Sequence, residues 1–463
     1  MRGERLKLRA PPRCAPGGTE NSPSRAGLRP GLWLPHLAGA SAQIGREGAV
    51  ALLSWGAVGS NLRWIAVSTF ALSVMLNSLD RNLLAAVQPS VRAQFRLDNA
   101  QYGDLVAAFS ITYGLSAPIM GWLLDRYGLT LVSTIAVGLW SLASVMTGYA
   151  GSFTSLLVWR ALLGVAESVA IPASNKAYAF LLPPRERSMG TAVNQIGLTV
   201  GSVAAILLAG WAAPRFGWQS TFWIAGPLGW LWIPLWLAMS RRVKVRASQA
   251  AERSALRGSL LVLRDPKLWA LVGTILLTMP LYGLWTTWTT AYLVRERGLT
   301  EAQANLGFAW IPPILATLGG LVGGWTAYQL APRMGVQAAR FRVCLVAAAM
   351  LLLTASIPFL DSTLLVTLGI GMSFFFTLVI SVNTYAMPLD LYGPERAGFA
   401  ISMFTCVYGL MLAGISHQIG RVVDQYGFKP ICLIGAVCPM VGILILWWQG
   451  LNRDSTTQAS GPD

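Results

Sequence analysis

Four charged residues lie inside long apolar stretches of this 463-residue sequence, where charges are costly. Asp80 and Arg81 are neighbours in one stretch, and Arg160 and Glu167 are seven residues apart in another. One ionised side chain near the middle of a bilayer costs about 2.5–3.5 kcal/mol even on the mild insertion scales. We therefore expect these two acids and two arginines to serve a pathway for an ion or a charged substrate.

Helix geometry relates these charges to one another. Seven residues of α-helix rise about 10.5 Å and turn about 700°, so Arg160 and Glu167 lie on nearly one face. Asp80 and Arg81 differ by about 100°, so one is expected to face a cavity while the other pairs across a helix interface. A buried carboxyl group suits a proton carrier, because desolvation favours the acid and a nearby arginine favours the carboxylate. The alternative is a set of interhelical salt bridges with a structural role alone.

The composition requires a membrane protein to position these residues. The chain is 54% hydrophobic and 12% charged, and its mean hydropathy is +0.54. Segments of about 20 apolar residues can cross a bilayer core of ~30 Å. Twelve such segments are predicted at 62–88, 100–124, 129–149, 153–181, 188–212, 219–240, 268–294, 303–330, 340–360, 362–390, 396–420 and 428–450.

The remaining sequence divides these segments into two sets of six. Residues 1–60 are rich in Arg, Pro, Gly and Ser and are predicted to be a disordered basic tail. The first set occupies 61–240 and the second 268–450, and a basic loop at 241–267 separates them. Residues 451–463 are predicted to be a short C-terminal tail.

The distribution of basic residues predicts the orientation. Of the 35 Lys and Arg residues, 25 lie in segments that are cytoplasmic if the N-terminus is cytoplasmic, and seven lie on the opposite side. This bias places both termini inside. The net charge of +16 is concentrated in loops and the tail, where it meets lipid headgroups, so we expect no nucleic-acid partner.

A charged loop follows the second segment. Gly121, Asp125, Arg126 and Gly128 combine two glycines with an acid and an arginine, which can lock adjacent helix ends together. An ordinary charged hairpin cap is the alternative. The string Gly121–Gly128 resembles the loop signature of the major facilitator superfamily. After the eighth segment, Gly323–Tyr328 is expected to be a degenerate second copy that lacks the acid.

Further residues resemble the anion:cation symporter branch of that superfamily, which contains sugar-acid and other organic-anion symporters. They are Asp80-Arg81, Tyr113, Arg160, Gly164, Glu167, Pro172, Lys176, Pro184, Glu186, Arg187 and Gly217-Trp218. The resemblance implies an all-α integral membrane protein with twelve transmembrane helices in two six-helix bundles, each built from inverted three-helix repeats.

The resemblance also implies roles for individual residues. Arg81 and Tyr113 would bind the carboxylate or hydroxyl groups of the substrate, Asp80 and Glu167 would carry protons, and Arg160 would partner an acid. The sequence departs from the sugar-acid members in the eleventh segment, where Ser402–Cys406 replaces their Asn-rich pattern.

Other polar and aromatic residues are weaker candidates for binding the substrate. Asn194 and Gln195 either line the cavity or form interhelical hydrogen bonds. These candidates are Asn194 and Gln195 in the fifth segment, Tyr282 and Trp285 in the seventh, Asn383 in the tenth and Thr405 in the eleventh.

The expected function is proton-coupled symport of a small organic anion, such as a sugar acid or another carboxylate, by alternating access. We expect a monomer in the lipid bilayer of a bacterial cytoplasmic membrane, without a cofactor or metal. A membrane enzyme is disfavoured, because two distant histidines and five scattered cysteines offer no catalytic or metal cluster. Two alternatives stay open: an organic-phosphate or other anion exchanger of the same fold, and a non-transporting sensor derived from a transporter.

Overall fold

The computed structural model describes residues 60–182, 186–243 and 261–452. These residues form helices joined by short connections. Within these ranges, eleven helical segments are long and apolar enough to cross a membrane. With the second limb of one long helix, described below, they make the twelve spans of a two-bundle fold. The N-terminal tail and most of the central loop and C-terminal tail lie outside the described residues.

The first six spans contain eight helices. Span 1 is α1, span 2 is α3, span 3 is α4, span 4 is α5 with α6, and spans 5 and 6 are α7 and α8. The helices are α1 (Ser60–Ala86), α2 (Gln88–Phe95), α3 (Asn99–Tyr127), α4 (Leu129–Gly148), α5 (Phe153–Glu167), α6 (Ala170–Leu181), α7 (Arg187–Phe216) and α8 (Gln219–Val243).

The second six spans begin after a short 3₁₀ turn at Leu261–Arg264. Span 7 is α9, span 8 is α10 with α11, span 9 begins with α12, spans 10 and 11 lie in α13, and span 12 is α14. The helices are α9 (Pro266–Arg297), α10 (Glu301–Ala304), α11 (Ile311–Met334), α12 (Val336–Leu351), α13 (Thr363–Tyr426) and α14 (Lys429–Trp448). A π-helical turn (Asn305–Ala309) precedes α11, and a 3₁₀ segment (Leu352–Phe359) completes span 9.

Helix α13 holds two spans because it folds back on itself. The Tyr385 and Phe404 rings lie 5.3 Å apart, whereas 19 residues of straight α-helix would separate them by about 28 Å. Just beyond its two ends, Lys429 Nζ of the following helix lies 5.7 Å from the centre of the ring of Phe359, which precedes α13. The sequence predicts separate spans at 362–390 and 396–420. In the structure both lie in α13, which stays helical where the chain reverses direction.

Four tight turns recur at the same place in each group of three spans, between its second and third span. Each turn ends a helix at a glycine with a positive φ, which a side chain would strain. These glycines are Gly128, Gly217, Gly335 and Gly427, with φ of 87°, 81°, 84° and 70°. The recurrence supports the expected three-helix repeats.

The second copy of the charged loop lies elsewhere than the sequence predicted. Gly323–Tyr328 belongs to the interior of α11, and the turn comes at Gly335 after Pro332-Arg333-Met334. By its place before the glycine, Pro332 corresponds to Asp125. The prediction failed because paired glycines are common in membrane helices, whereas the turn depends on one glycine with positive φ.

Connections that follow odd-numbered spans lie at one end of the molecule, which we call the odd-loop end. Connections that follow even-numbered spans lie at the even-loop end. Span 4 is interrupted at Ser168 and Val169, directly after Glu167, so this acid ends α5 midway through its span. Irregular backbone at such depth is typical of binding sites in transporters.

Candidate functional site

Arg81 and Glu167 form an ion pair in the interior. Arg81 Nε lies 3.3 Å from Glu167 Oε2, and 31% of the Arg81 side chain is accessible whereas Glu167 is fully covered. Arg81 also donates to Asn77 Oδ1 at 3.4 Å. The Phe109 and Tyr113 rings of span 2 lie against the guanidinium, and Tyr282 of the second set of spans interacts with it. Its accessible surface therefore faces the space between the two sets of spans, which we call the Arg81 cavity. Arg81 is thus the charge that a ligand can reach.

Asp80 points away from Arg81, as the 100° offset predicts. It is 2% exposed, and its Oδ1 accepts a hydrogen bond from Ser144 Oγ of α4 at 2.8 Å. Glu167 and Arg160 are its charged neighbours. Asp80 therefore lies at the interface of spans 1 and 3. It interacts electrostatically with Glu167 and Arg160 but is itself buried.

Arg160, which is expected to partner an acid, lies against an aromatic ring. Its Cζ lies 4.8 Å from the centre of the Phe109 ring, and Arg81 Cζ lies 5.1 Å from the same ring. Arg160 interacts electrostatically with Glu167 and Asp80, but its Nε and Nη1 atoms have no hydrogen-bond partner in the described part of the chain. The two arginines thus lie against one aromatic ring, with Glu167 and Asp80 as charged neighbours.

Tyrosines complete the cavity around Arg81. Arg81 Cζ lies 4.6 Å from the centre of the Tyr113 ring. From the second set of spans, Tyr282 and Tyr408 interact electrostatically with Arg81, and their rings lie 6.0 Å apart. Tyr385 interacts in the same way with Tyr282 and Tyr113. The two sets of spans therefore meet around one guanidinium, and Tyr385 joins the residues that the sequence predicts for this site.

Several predicted substrate contacts do not join this cavity. Asn383 is fully buried, and its Nδ2 donates to Gly323 O at 3.2 Å and to Val379 O at 2.9 Å. Trp285 is 2% exposed and donates to Ser373 Oγ at 2.9 Å. Their residue types suggested binding, but their helix faces place them in packing interfaces.

The other predicted polar contacts have different partners. Asn194 Oδ1 accepts from Tyr178 Oη at 2.9 Å, and the Gln195 side chain is exposed. Thr405 Oγ1 donates to Ile401 O at 3.2 Å and also contacts Tyr385. Through Tyr385, Thr405 remains connected to the cavity.

The charged loop lies at the even-loop end. Gly121 has open space around its Cα, Gly128 forms the turn, and Arg126 Cζ lies 5.5 Å from the centre of the Trp122 ring. Lys176 Nζ of span 4 donates to Leu124 O at 3.1 Å and so holds the end of span 2. The Asp125 side chain lies outside the described part of the chain.

At the odd-loop end, carboxylates of the second set of spans cap helices of the first. Asp424 accepts from Asn99 N at 3.0 Å, Asn99 Nδ2 at 2.6 Å and Ala100 N at 3.3 Å, at the start of α3. Glu301 Oε2 accepts from Ser90 N at 3.0 Å and Ser90 Oγ at 2.7 Å, at the start of α2. A carboxylate is favourable at a helix N-terminus. We call these contacts the cross-caps.

Further contacts close the same end. His417 Nδ1 lies 2.7 Å from Asp104 Oδ1, Asn305 Nδ2 donates to Ala86 O at 2.8 Å, and the Tyr102 and Trp288 rings lie 5.5 Å apart. A Cβ on Gly103 or Gly420 would meet backbone atoms of the opposing helix, so α3 and the second limb of α13 pack tightly. The structure therefore describes a conformation closed at the odd-loop end.

Asp424→Ala is expected to favour opening of this end. Losing one helix cap costs about 1 kcal/mol, which moves the equilibrium roughly fivefold toward the open conformation. Spin labels on cysteines introduced at Ala93 and Arg421, in a variant without native cysteines, would report the separation. The matched control is Asp361→Ala, an exposed carboxylate at the same end. Identical distance distributions for Asp424→Ala and the control would contradict the capping role.

Two bacterial transporters are similar to this chain in sequence. The hexuronate transporter of Escherichia coli K12 is 24% identical over 404 residues, which cover 83% of this chain and 93% of that protein. The galacturonate transporter of Dickeya chrysanthemi is 28% identical over 280 residues, which cover 57% of this chain and 81% of that protein.

A solved structure shares the fold. It is a bacterial homologue of the human lysosomal transporter Spinster in an inward-facing, unoccupied conformation, with a TM-score of 0.66 and 18% identity, covering 85% of this chain and 97% of that chain. Within the described ranges, no three His, Cys, Asp or Glu side chains group closely enough to hold a metal ion. The family model of the Major Facilitator Superfamily matches residues 70–416. The chain therefore belongs to the Major Facilitator Superfamily, as a multi-pass membrane transporter and not an enzyme.

Proposed function

We propose that this transporter carries a small organic anion together with protons, by alternating access around the Arg81 cavity. The observation that carries the proposal is the Arg81–Glu167 ion pair, in which the arginine is accessible and the acid is covered. A substrate carboxylate can reach this arginine, and the arginine already holds a carboxylate of the protein. The names of the relatives, hexuronate and galacturonate transporters, support the anion class.

Competition for Arg81 provides the coupling. While Glu167 is ionised it holds Arg81, and protonation of Glu167 releases the guanidinium for a substrate carboxylate. A proton and an anion then occupy the site together, and each favours binding of the other. Loss of the proton returns Glu167 to Arg81 and displaces the substrate.

Asp80 adds a second protonation site behind the first. Its interaction with Glu167 links the charges of the two acids. Its hydrogen bond from Ser144 connects it to span 3, so a change in its charge acts on the packing of spans 1 and 3. In this scheme Asp80 acts through the positions of helices rather than through contact with the substrate.

Reconstituted vesicles test the proposal. Sugar acids, aromatic acids and short carboxylates are first screened for thermal stabilisation of the purified protein, because a ligand of the native state raises its stability. The best ligand is then followed in vesicles with and without an imposed proton gradient, with a pH-sensitive dye inside. Accumulation that needs the gradient and acidifies the lumen supports symport. Equal uptake without proton movement would contradict it.

We also propose that the even-loop end and both termini face the cytoplasm, on the distribution of 25 basic residues against seven. Reporter fusions are expected to place the 241–267 loop, the termini and the Asp125–Arg126 loop in the cytoplasm. Fusions at Arg96 and Arg297 should report the opposite side. A periplasmic signal from the central loop would contradict the proposed orientation.

A further inference from the structure

We infer that the Arg81 cavity selects planar aromatic carboxylates over polyhydroxylated sugar acids. The inference rests on the proposed function, since it assigns the substrate class of the same site. It starts from the side chains around Arg81, which are mainly rings.

Rings surround Arg81 on both sides of the cavity. In the first set of spans, Phe109 and Tyr113 are stacked with centroids 5.6 Å apart and an interplanar angle of 23°, and both lie against the guanidinium. In the second set, the Tyr282 ring lies 6.0 Å from that of Tyr408. An anion bound to Arg81 therefore has aromatic neighbours in both halves of the protein.

The aromatic surface extends beyond these residues. The Tyr282 and Phe374 rings lie 5.1 Å apart in an edge-on arrangement. Aromatic pairs in such geometries gain energy beyond their buried area, and a planar ligand can join them at either a ring face or a ring edge. The tyrosine hydroxyls add a few polar contacts to this surface.

Few amide groups beside Arg81 are placed to hold the hydroxyls of a sugar acid. Asn77 accepts from Arg81 through Oδ1, and its Nδ2, which has no partner in the described part of the chain, could serve one hydroxyl. Asn383 is fully buried and its Nδ2 donates to backbone carbonyls, and Asn194 accepts from Tyr178. The hydroxyls of a polyol lose hydration in a cavity and need partners there in return. A planar acid with one carboxylate and few hydroxyls needs fewer hydrogen-bond partners in this cavity.

Binding of four probes to the wild-type protein tests the substrate class: benzoate, 4-hydroxybenzoate, cyclohexanecarboxylate and D-galacturonate. Benzoate and cyclohexanecarboxylate share the carboxylate and a six-membered carbon ring, so their comparison isolates aromaticity. Calorimetry is expected to give about tenfold tighter binding for benzoate than for cyclohexanecarboxylate, and the weakest binding for D-galacturonate. Tighter binding of D-galacturonate than of benzoate would overturn the inference.

Variants of Tyr282 test the role of the ring. Tyr282→Leu should weaken benzoate binding about tenfold and leave cyclohexanecarboxylate nearly unchanged, while Tyr282→Phe should retain benzoate. Equal weakening of both acids by Tyr282→Leu would overturn the role of its ring, and melting curves identify a misfolded variant. If Tyr282→Leu does not fold, the wild-type ranking still decides.

The outcomes separate this inference from the proposed function. Binding of D-galacturonate alone, lost in Arg81→Ala, would overturn the aromatic preference and leave the anion transporter standing. Absence of binding for every carboxylate would overturn both.

Discussion

Arg81→Ala is expected to abolish measurable binding of the transported anion. The substitution removes the accessible guanidinium that pairs with Glu167 at 3.3 Å. Removing one partner of a buried charge pair costs roughly 2–5 kcal/mol, which corresponds to a loss of affinity of about 30-fold to several thousand-fold. Calorimetry on the purified variant, with the best ligand of the wild-type screen, measures the loss.

Two variants control for this result. Arg81→Lys keeps the charge but loses the planar fork, so it should bind more weakly than wild type and more tightly than Arg81→Ala. Arg215→Ala removes an exposed arginine whose Nη1 bonds Trp211 O at 2.6 Å, at the odd-loop end, and should bind normally. Near-normal affinity in a folded Arg81→Ala would place the anion elsewhere.

Glu167→Gln is expected to separate transport from its energy source. The amide has the shape of a protonated carboxyl group but releases no proton, so a proton gradient should drive no net accumulation. Counterflow of preloaded substrate should persist, because it needs only alternating access around the bound anion. The measurement compares both fluxes in vesicles with an imposed pH gradient. Asp80→Asn should also fail to accumulate substrate, and should lower affinity more if Asp80 helps to position Arg81.

Glu296→Gln is the control for the Glu167→Gln and Asp80→Asn variants. Glu296 is partly exposed and lies 3.8 Å from Arg295 at the odd-loop end, so its amide should leave both fluxes unchanged. Accumulation by Glu167→Gln that equals wild type would make Glu167 a structural residue.

Local geometry explains which parts of the site were predictable. The spans follow from apolar length, and the division between Arg81 and Asp80 follows from their angular separation on one helix. Asn383 and Trp285 were misplaced because both lie on helices with apolar residues around most of their circumference, so residue type did not reveal which face meets the cavity.

Long-range contacts explain most of what was missed. Asp424 stands before a turn glycine as Asp125 does, in Asp424-Gln425-Tyr426-Gly427 against Asp125-Arg126-Tyr127-Gly128, so its turn could have been recognised. Its contact with Asn99 could not be predicted, because 325 residues separate the two residues. Hydropathy shows only that each helix end is polar, and does not show which ends meet.

The cross-caps also bear on how this chain is made. Val87 provides no side-chain cap for α2, and Pro89 has no N–H, so Ser90 N depends on a carboxylate 211 residues further along the chain. In α3, Asp98 accepts a hydrogen bond from Gln101 N, but Asn99 N and Ala100 N donate to Asp424. At about 5–20 residues per second, the ribosome delivers Asp424 roughly 16–65 s after Asn99. Until then, the backbone N–H groups at these helix starts in a newly inserted first half have only water as a hydrogen-bond partner, so the odd-loop end of that half reaches its final hydrogen bonding only after the second half is made.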